Sequence, residues 1–168
     1  LRGVIAYSSM AQMGLITMGV FAFDQLGLDG AVLQAVAHGL ISAAMFLLVG
    51  MVERRCGTAE LDALGGMARG RPTLATIVLL GGMIALAVPG SATFAGEFLI
   101  MAGVYDQGWG YSVVVALGVV LAAMYTLRLI SAILHEKPGR AVRDEALDLR
   151  AGELGLVIPL LLVLVGLS

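Results

Sequence analysis

The sequence predicts an all-α, polytopic transmembrane helix bundle of about five spans, one of them discontinuous. Three observations carry that expectation. The 168 residues are 60% hydrophobic and only 13% charged, against roughly 45–50% apolar and about 25% charged in soluble domains. The mean hydropathy is +0.98, and the apolar residues gather into long runs. The basic residues between those runs alternate with basic-free turns. This composition excludes a disordered tail, a collagen, a disulfide scaffold and an ordinary soluble enzyme. The net charge of −2 offers no basic field to nucleic acid. A single cysteine, Cys56, builds no disulfide framework within the chain.

A helix needs about 20 apolar residues to cross a bilayer. The first span covers 3–23 and ends in the polar, glycine-bearing turn 24–30. It is too long, and carries too much Ser and Gln, for the apolar region of a signal peptide. The second span covers 31–52 and is closed by the charged run 53–57. A polar stretch, 58–71, follows; Pro72 then suits a first helical turn, where its missing N–H costs nothing. The third apolar run, 73–105, is too long for one untilted span and contains Pro89, Gly90 and Ser91. We read it as one span broken near 89–94, because non-helical backbone at membrane depth persists where protein or water satisfies it. The fourth span covers 111–134. A charged connection, 135–150, is expected to be solvated, and a last apolar run, 154–168, contains Pro159 and is cut short. The chain opens on Leu1, runs at once into apolar sequence and stops inside another run, so it reads as a fragment of a longer membrane protein.

Numbering the connections by side separates the charges. Of the ten Lys and Arg, Arg2, Arg54, Arg55, Arg69, Arg71, Lys137, Arg140, Arg143 and Arg150 fall on one side, with Arg128 in the last turns of the fourth span near it. The turns 24–30 and 106–110 hold none. The positive-inside rule makes the basic side cytoplasmic, in a bacterial plasma (inner) membrane. Tyr105, Trp109 and Tyr111 cluster at the opposite face, as an aromatic belt does.

Ionisable groups inside spans mark function by default. Glu97, just after Gly96, is the one carboxylate within an apolar run. At 1.5 Å per residue it lies roughly 12 Å below the outer boundary, and His38 lies roughly 10 Å deep from the same face. Gln34, His38 and Ser42 recur every fourth position and form one polar stripe; Ser8 and Gln12 repeat that spacing on the first span, beside Tyr7 and Ser9. On the fourth span Tyr125 and Arg128 lie three apart. Several helices with one polar stripe each point to a bundle around an internal hydrated file. A histidine titrates near neutrality, and a desolvated glutamate stores a proton reversibly. The pattern therefore points to proton movement along His38 and Glu97. Tyr7, Ser8, Gln12, Gln34 and Ser42 are the candidate relay or water-holding groups.

Plainer roles compete at each position. His38 serves equally as a helix–helix hydrogen bonder, Glu97 as a cap for backbone N–H groups freed at the break, Gln12 and Ser42 as packing groups, and Arg128 as a snorkelling cation. The nine methionines suit lipid and core packing. The sequence carries no phosphate-binding glycine loop, no metal-ligand spacing and no Ser-His-Asp set, so no catalytic, cofactor or metal residue is expected.

These residues also carry a specific resemblance. The segment from Ile5 to Gly14, with Tyr7, Ser8, Ser9 and Gln12, resembles the IAYSSxxHMG signature of the antiporter-like subunits of respiratory complex I. The segment from Gln34 through His38 and Gly39 to Gly50 resembles the family's following helix, and Pro89-Gly90-Ser91 with Phe94-Ala95-Gly96-Glu97-Phe98 is similar to its broken-helix motif. Glutamate at this place, and Asp148-Leu149-Arg150 ahead of the last run, resemble the chain M (NADH dehydrogenase subunit 4) branch. The resemblance implies about fourteen helices with two inverted repeats, of which this chain holds most of the second.

It further implies a proton-translocating subunit of NADH-quinone oxidoreductase, with His38 as a central relay and Glu97 at the outer end of the axis. NADH, flavin, iron–sulfur clusters and quinone are then expected in partner subunits, with neighbouring antiporter-like subunits as partners. One departure stands out: Gln12 occupies a position that is commonly histidine, and glutamine holds a water without titrating. A multi-subunit cation/proton antiporter, a membrane-bound hydrogenase and a proton-inert scaffold are the alternative functions.

Overall fold

The computed structural model describes residues 1–142 and 148–168. Among them every regular element is helical: α1 (Arg2–Val20), α2 (Gln25–Cys56), a 3-10 turn (Leu61–Ala63), α3 (Pro72–Ala85), α4 (Ala92–Gln107), α5 (Trp109–Leu134) and α6 (Ala151–Gly166). α1, α2 and α5, of 19, 32 and 26 residues, are each long and apolar enough to cross a membrane. α3 and α4, of 14 and 16 residues, share the third apolar run between them.

Several boundaries differ from the sequence expectation, and two of them have a clear local reason. α2 begins at Gln25 rather than near 31. Asp24 caps it, accepting hydrogen bonds from the N–H of Leu26 at 2.9 Å and Gly27 at 3.4 Å. Gln25 then bonds Asp29 at 2.8 Å across the first turn, so polar residues that resemble a connection are the start of the helix. The break lies at 86–91, ahead of the expected 89–94. Ala87 takes a left-handed φ of 52°, and the residue before Pro89 is disfavoured in a helix. Ser91 restarts the chain by accepting the Phe94 N–H. Thr93 donates to the Ile84 carbonyl at 2.6 Å, so a side chain satisfies the frayed end of α3.

α2 is the centre of the bundle and packs against α1, α3, α4 and α6. Its closest partner is α4, and the approach depends on glycine. A Cβ on Gly30 would meet the Ile100 backbone nitrogen at 2.6 Å, and one on Gly96 would meet the Gln34 side-chain oxygen at 2.6 Å. Large apolar side chains cover the outside, among them Met10, Leu117, Leu121 and Leu162. Hydrocarbon is a favourable neighbour for such a surface.

The described parts of the 135–150 connection, largely exposed at 135–140, are also tied to the rest of the basic end. The Asp148 carboxylate accepts from the N–H of Thr73 at 2.9 Å and Leu74 at 2.8 Å, capping α3. Arg55, at the end of α2, holds both Glu153 oxygens at 3.0 and 2.6 Å and donates to the Asp148 carbonyl at 3.0 Å. Gly139 and Ala141 donate backbone bonds to Gly65 and Ala63. Arg143 falls outside the described residues.

Candidate functional site

Four buried polar side chains meet where α1, α2 and α4 converge. Gln12, Gln34, His38 and Glu97 are 8%, 1%, 8% and 7% exposed, which is unusual for such groups unless they are partnered. The Gln12 amide nitrogen donates to a Glu97 carboxylate oxygen at 3.1 Å. The Gln34 amide nitrogen donates to Gln12 Oε1 at 2.9 Å and lies 3.5 Å from the same Glu97 oxygen. Three helices are thereby joined through one carboxylate. One turn along α2, His38 Nε2 and Ser42 Oγ are 3.1 Å apart.

Gln12, Gln34, His38 and Ser42 border a cavity of about 50 Å³, with Glu97 reached from it through Gln12, and roughly 15 Å³ already suffices for one water. Ser8 and Gln12 from α1, Gln34, His38 and Ser42 from α2, and Tyr125 and Thr126 from α5 line its polar part. A second cleft, of about 300 Å³, opens toward the basic end beside Asp62, Arg128 and Glu136. The two hollows share Val4, Tyr125 and Leu129 as wall residues.

The structure thus brings six of the seven residues singled out in the sequence to one place. Tyr7 is the exception: it is 74% exposed on α1, outside the cavity lining. Side chains stand between His38 and Glu97. Gln34, a turn earlier on the same helix, is the residue that reaches Glu97. Glu97 does not cap the broken helix, because Ser91 does. Arg128 is exposed and borders the basic-side cleft.

Sequence reasoning also missed three residues. Tyr125 was visible as a polar residue on an apolar span, but its place in the cavity wall was not. Thr93 and Thr126 are buried hydroxyls with no periodic signal, since threonine is common in apolar helices.

Comparison with known proteins places the chain in one family. The family described as NADH:quinone oxidoreductase/Mrp antiporter, TM, matches residues 1–124. The chain is 34% identical over 165 residues to NADH-quinone oxidoreductase subunit M of Rickettsia prowazekii (strain Madrid E), covering 98% of this chain and 34% of that protein. It is 35% identical over 177 residues to NAD(P)H-quinone oxidoreductase chain 4 1 of Synechococcus sp. (strain JA-3-3Ab), covering 100% of this chain and 34% of that one. Among solved structures, a chain of respiratory complex I from Thermus thermophilus with bound NADH superposes with a TM-score of 0.89 at 30% identity, covering 99% of this chain and 35% of that chain. A chain of the Mrp complex from Dietzia sp. DQ12-45-1b shares the fold, with a TM-score of 0.81 at 21% identity over 97% of this chain and 38% of that one. The chain spans about a third of the length of the curated relatives it matches. It is an integral membrane protein and belongs to the NADH:quinone oxidoreductase/Mrp antiporter transmembrane family, with complex I subunit M and chain 4 proteins as relatives.

Proposed function

We propose that this chain is part of a proton-translocating, antiporter-like membrane subunit of an NADH-quinone oxidoreductase. The observation that carries the reading is the buried Gln34–Gln12–Glu97 hydrogen-bond chain beside the His38 cavity. A carboxylate at membrane depth is costly to leave ionised. One held by two amides next to a water-sized cavity suits reversible proton storage better than static packing. In this route protons approach from the basic side through the cleft at Arg128 and Tyr125. They pass His38 and Ser42 by way of cavity water, and leave from Glu97 toward the aromatic face. His38 and Glu97 carry the proton; Ser8, Gln12, Gln34 and Ser42 hold the water and the geometry.

The redox chemistry belongs to partner subunits that hold NADH, flavin, iron–sulfur clusters and quinone, and this chain holds no redox site. Its partners are other membrane subunits of the same complex, neighbouring antiporter-like subunits first among them. The basic loops face the cytoplasm, and the membrane is the bacterial plasma membrane. The test is Glu97→Gln in the assembled complex, with NADH oxidation and proton translocation measured separately. A lower proton-to-electron ratio with the complex intact is expected. An unchanged ratio overturns the role given to Glu97.

A further inference from the structure

The orientation of the amides at Glu97 has a direction. Gln34 donates to Gln12, and Gln12 donates to Glu97. Both carbonyl-to-amide senses of a side-chain amide fit the same heavy-atom positions, so partner chemistry decides which is present. In the sense drawn, Glu97 is purely an acceptor, which suits its ionised form. That sense leaves Gln34 Oε1 buried without a hydrogen-bond partner, a cost that buried polar groups generally avoid. A protonated Glu97 reverses the requirement: its O–H must donate, and the nearest atom must accept.

Resting on the reading of Glu97 as a proton-carrying group, we propose that Gln12 and Gln34 form a reversible amide chain whose direction is set by the proton on Glu97. With Glu97 ionised, N–H groups point along Gln34 to Gln12 to the carboxylate. With Glu97 protonated, its O–H donates to Gln12 Oε1, and the turned Gln12 amide donates to Gln34 Oε1. No bond to carbon, nitrogen or oxygen is broken within either amide; the only proton gained or lost is the one on Glu97. Gln34 turns with Gln12, so that its Oε1, unpartnered in the first sense, accepts from Gln12 and its amide nitrogen takes the place that the oxygen held. Because Gln34 also borders the His38 cavity, the charge state of Glu97 is presented there as a choice between a donor and an acceptor. A glutamine that cannot titrate thus transmits proton occupancy between α4 and α2. The titratable groups around the chain are His38 on α2 and Tyr125 on α5, both in the wall of the cavity. Asp24, the cap of α2, lies farther off, beside Gly103 of α4.

The experiment is pH-induced infrared difference spectroscopy on the full subunit in its assembled complex, with and without isotope-labelled glutamine. A carboxylic-acid C=O band that disappears in Glu97→Gln identifies protonation of Glu97. The proposal expects glutamine side-chain amide bands, identified by the label, to move together with that band. It also expects Gln12→Met to abolish their movement while the Glu97 band persists. If the Glu97 band titrates in the wild-type protein with no glutamine band moving, the amide chain is static and the proposal is overturned, whether or not the Gln12 variant folds. If no band assignable to Glu97 appears at any pH, the underlying reading of Glu97 falls, and the proposal falls with it.

Discussion

Gly96 lies against Gln34 so closely that a Cβ on Gly96 would meet the Gln34 side-chain oxygen at 2.6 Å and its Cα at 3.0 Å. That contact sets the spacing of α2 and α4, and through it the distance from Gln34 to Glu97, the next residue on α4. Gly96→Val therefore forces the two helices apart or twists Gln34 out of its rotamer. Overpacking of this kind costs about 1–3 kcal/mol. The purified complex is expected to melt earlier, and proton translocation to fall with NADH oxidation less affected. Unchanged melting and translocation would show that the helices yield freely at this contact.

Gln12 donates to a buried carboxylate, and losing a donor to such a group costs about 1–3 kcal/mol. Gln12→Leu is expected to lower both stability and proton translocation. Gln12→His restores a donor at the same place and is expected to keep translocation near the wild-type level. Equal loss in both variants, followed by proton-to-electron stoichiometry, would show that the amide itself and not a donor is required.

Asp148 makes the helix ends on the basic side sensitive to acid. Burial raises its carboxyl, but hydrogen bonds from Thr73, Leu74 and Leu149 outweigh that and hold it below its ordinary value of 3.8. A lowered folded-state value means that the contribution to stability is complete above about pH 4. It is lost as the pH falls below that value and the carboxylate takes a proton. Limited proteolysis of membranes between pH 6 and pH 3 is expected to show the start of α3 and the residues 148–150 opening at the acid end. Asp148→Asn is expected to remove the part of that pH dependence that belongs to α3 capping. An identical acid limb in the variant would refute the assignment.

Arg55 ties α2 to α6 and to the connection just ahead of it. It grips Glu153 with two nitrogens and also donates to the carbonyls of Met51 at 3.0 Å and Asp148 at 3.0 Å. The pair is largely shielded, with side chains 10% and 21% exposed. Glu153→Ala is expected to destabilise by about 1–3 kcal/mol, as for a charge-assisted bond lost from a partly buried cation. The exchanged pair Arg55→Glu with Glu153→Arg is not expected to recover stability, because the backbone bonds need a donor at position 55. Full recovery on thermal melting would mean that charge pairing alone matters.

The break between α3 and α4 is held by two hydroxyls. Ser91 caps α4, and Thr93 donates to the Ile84 carbonyl near the end of α3. Ser91→Ala is expected to cost about 1 kcal/mol. Thr93→Val keeps the shape and loses the hydroxyl, leaving the Ile84 carbonyl with the Ala87 N–H alone. Faster amide hydrogen exchange confined to 84–95 is the expected signature, and unchanged exchange there would contradict it.

Much of this arrangement was legible in one dimension. Hydropathy and the one-sided placement of Arg and Lys determine a bundle with a basic end, because lipid admits helices of a certain length and membranes sort cations. Pro89 and Gly90 announce a break, and burial of Glu97 and His38 follows from their place inside apolar runs. The position of the break was less legible, since Ala87 and Ser91 act through φ and a capping bond that composition does not encode.

Which polar groups meet was decided only in three dimensions. Spacing along α2 puts Gln34 and His38 on one face without saying which of them finds Glu97. The answer comes from Gly30 and Gly96, which let two backbones approach until Gln34, not His38, lies over the carboxylate. In the same way the sequence by itself determined that Gln12 is polar and sits in a span. The tertiary structure decided that it closes the bridge from Gln34 to Glu97, because hydrogen bonds between separate helices depend on distances that no single helix carries.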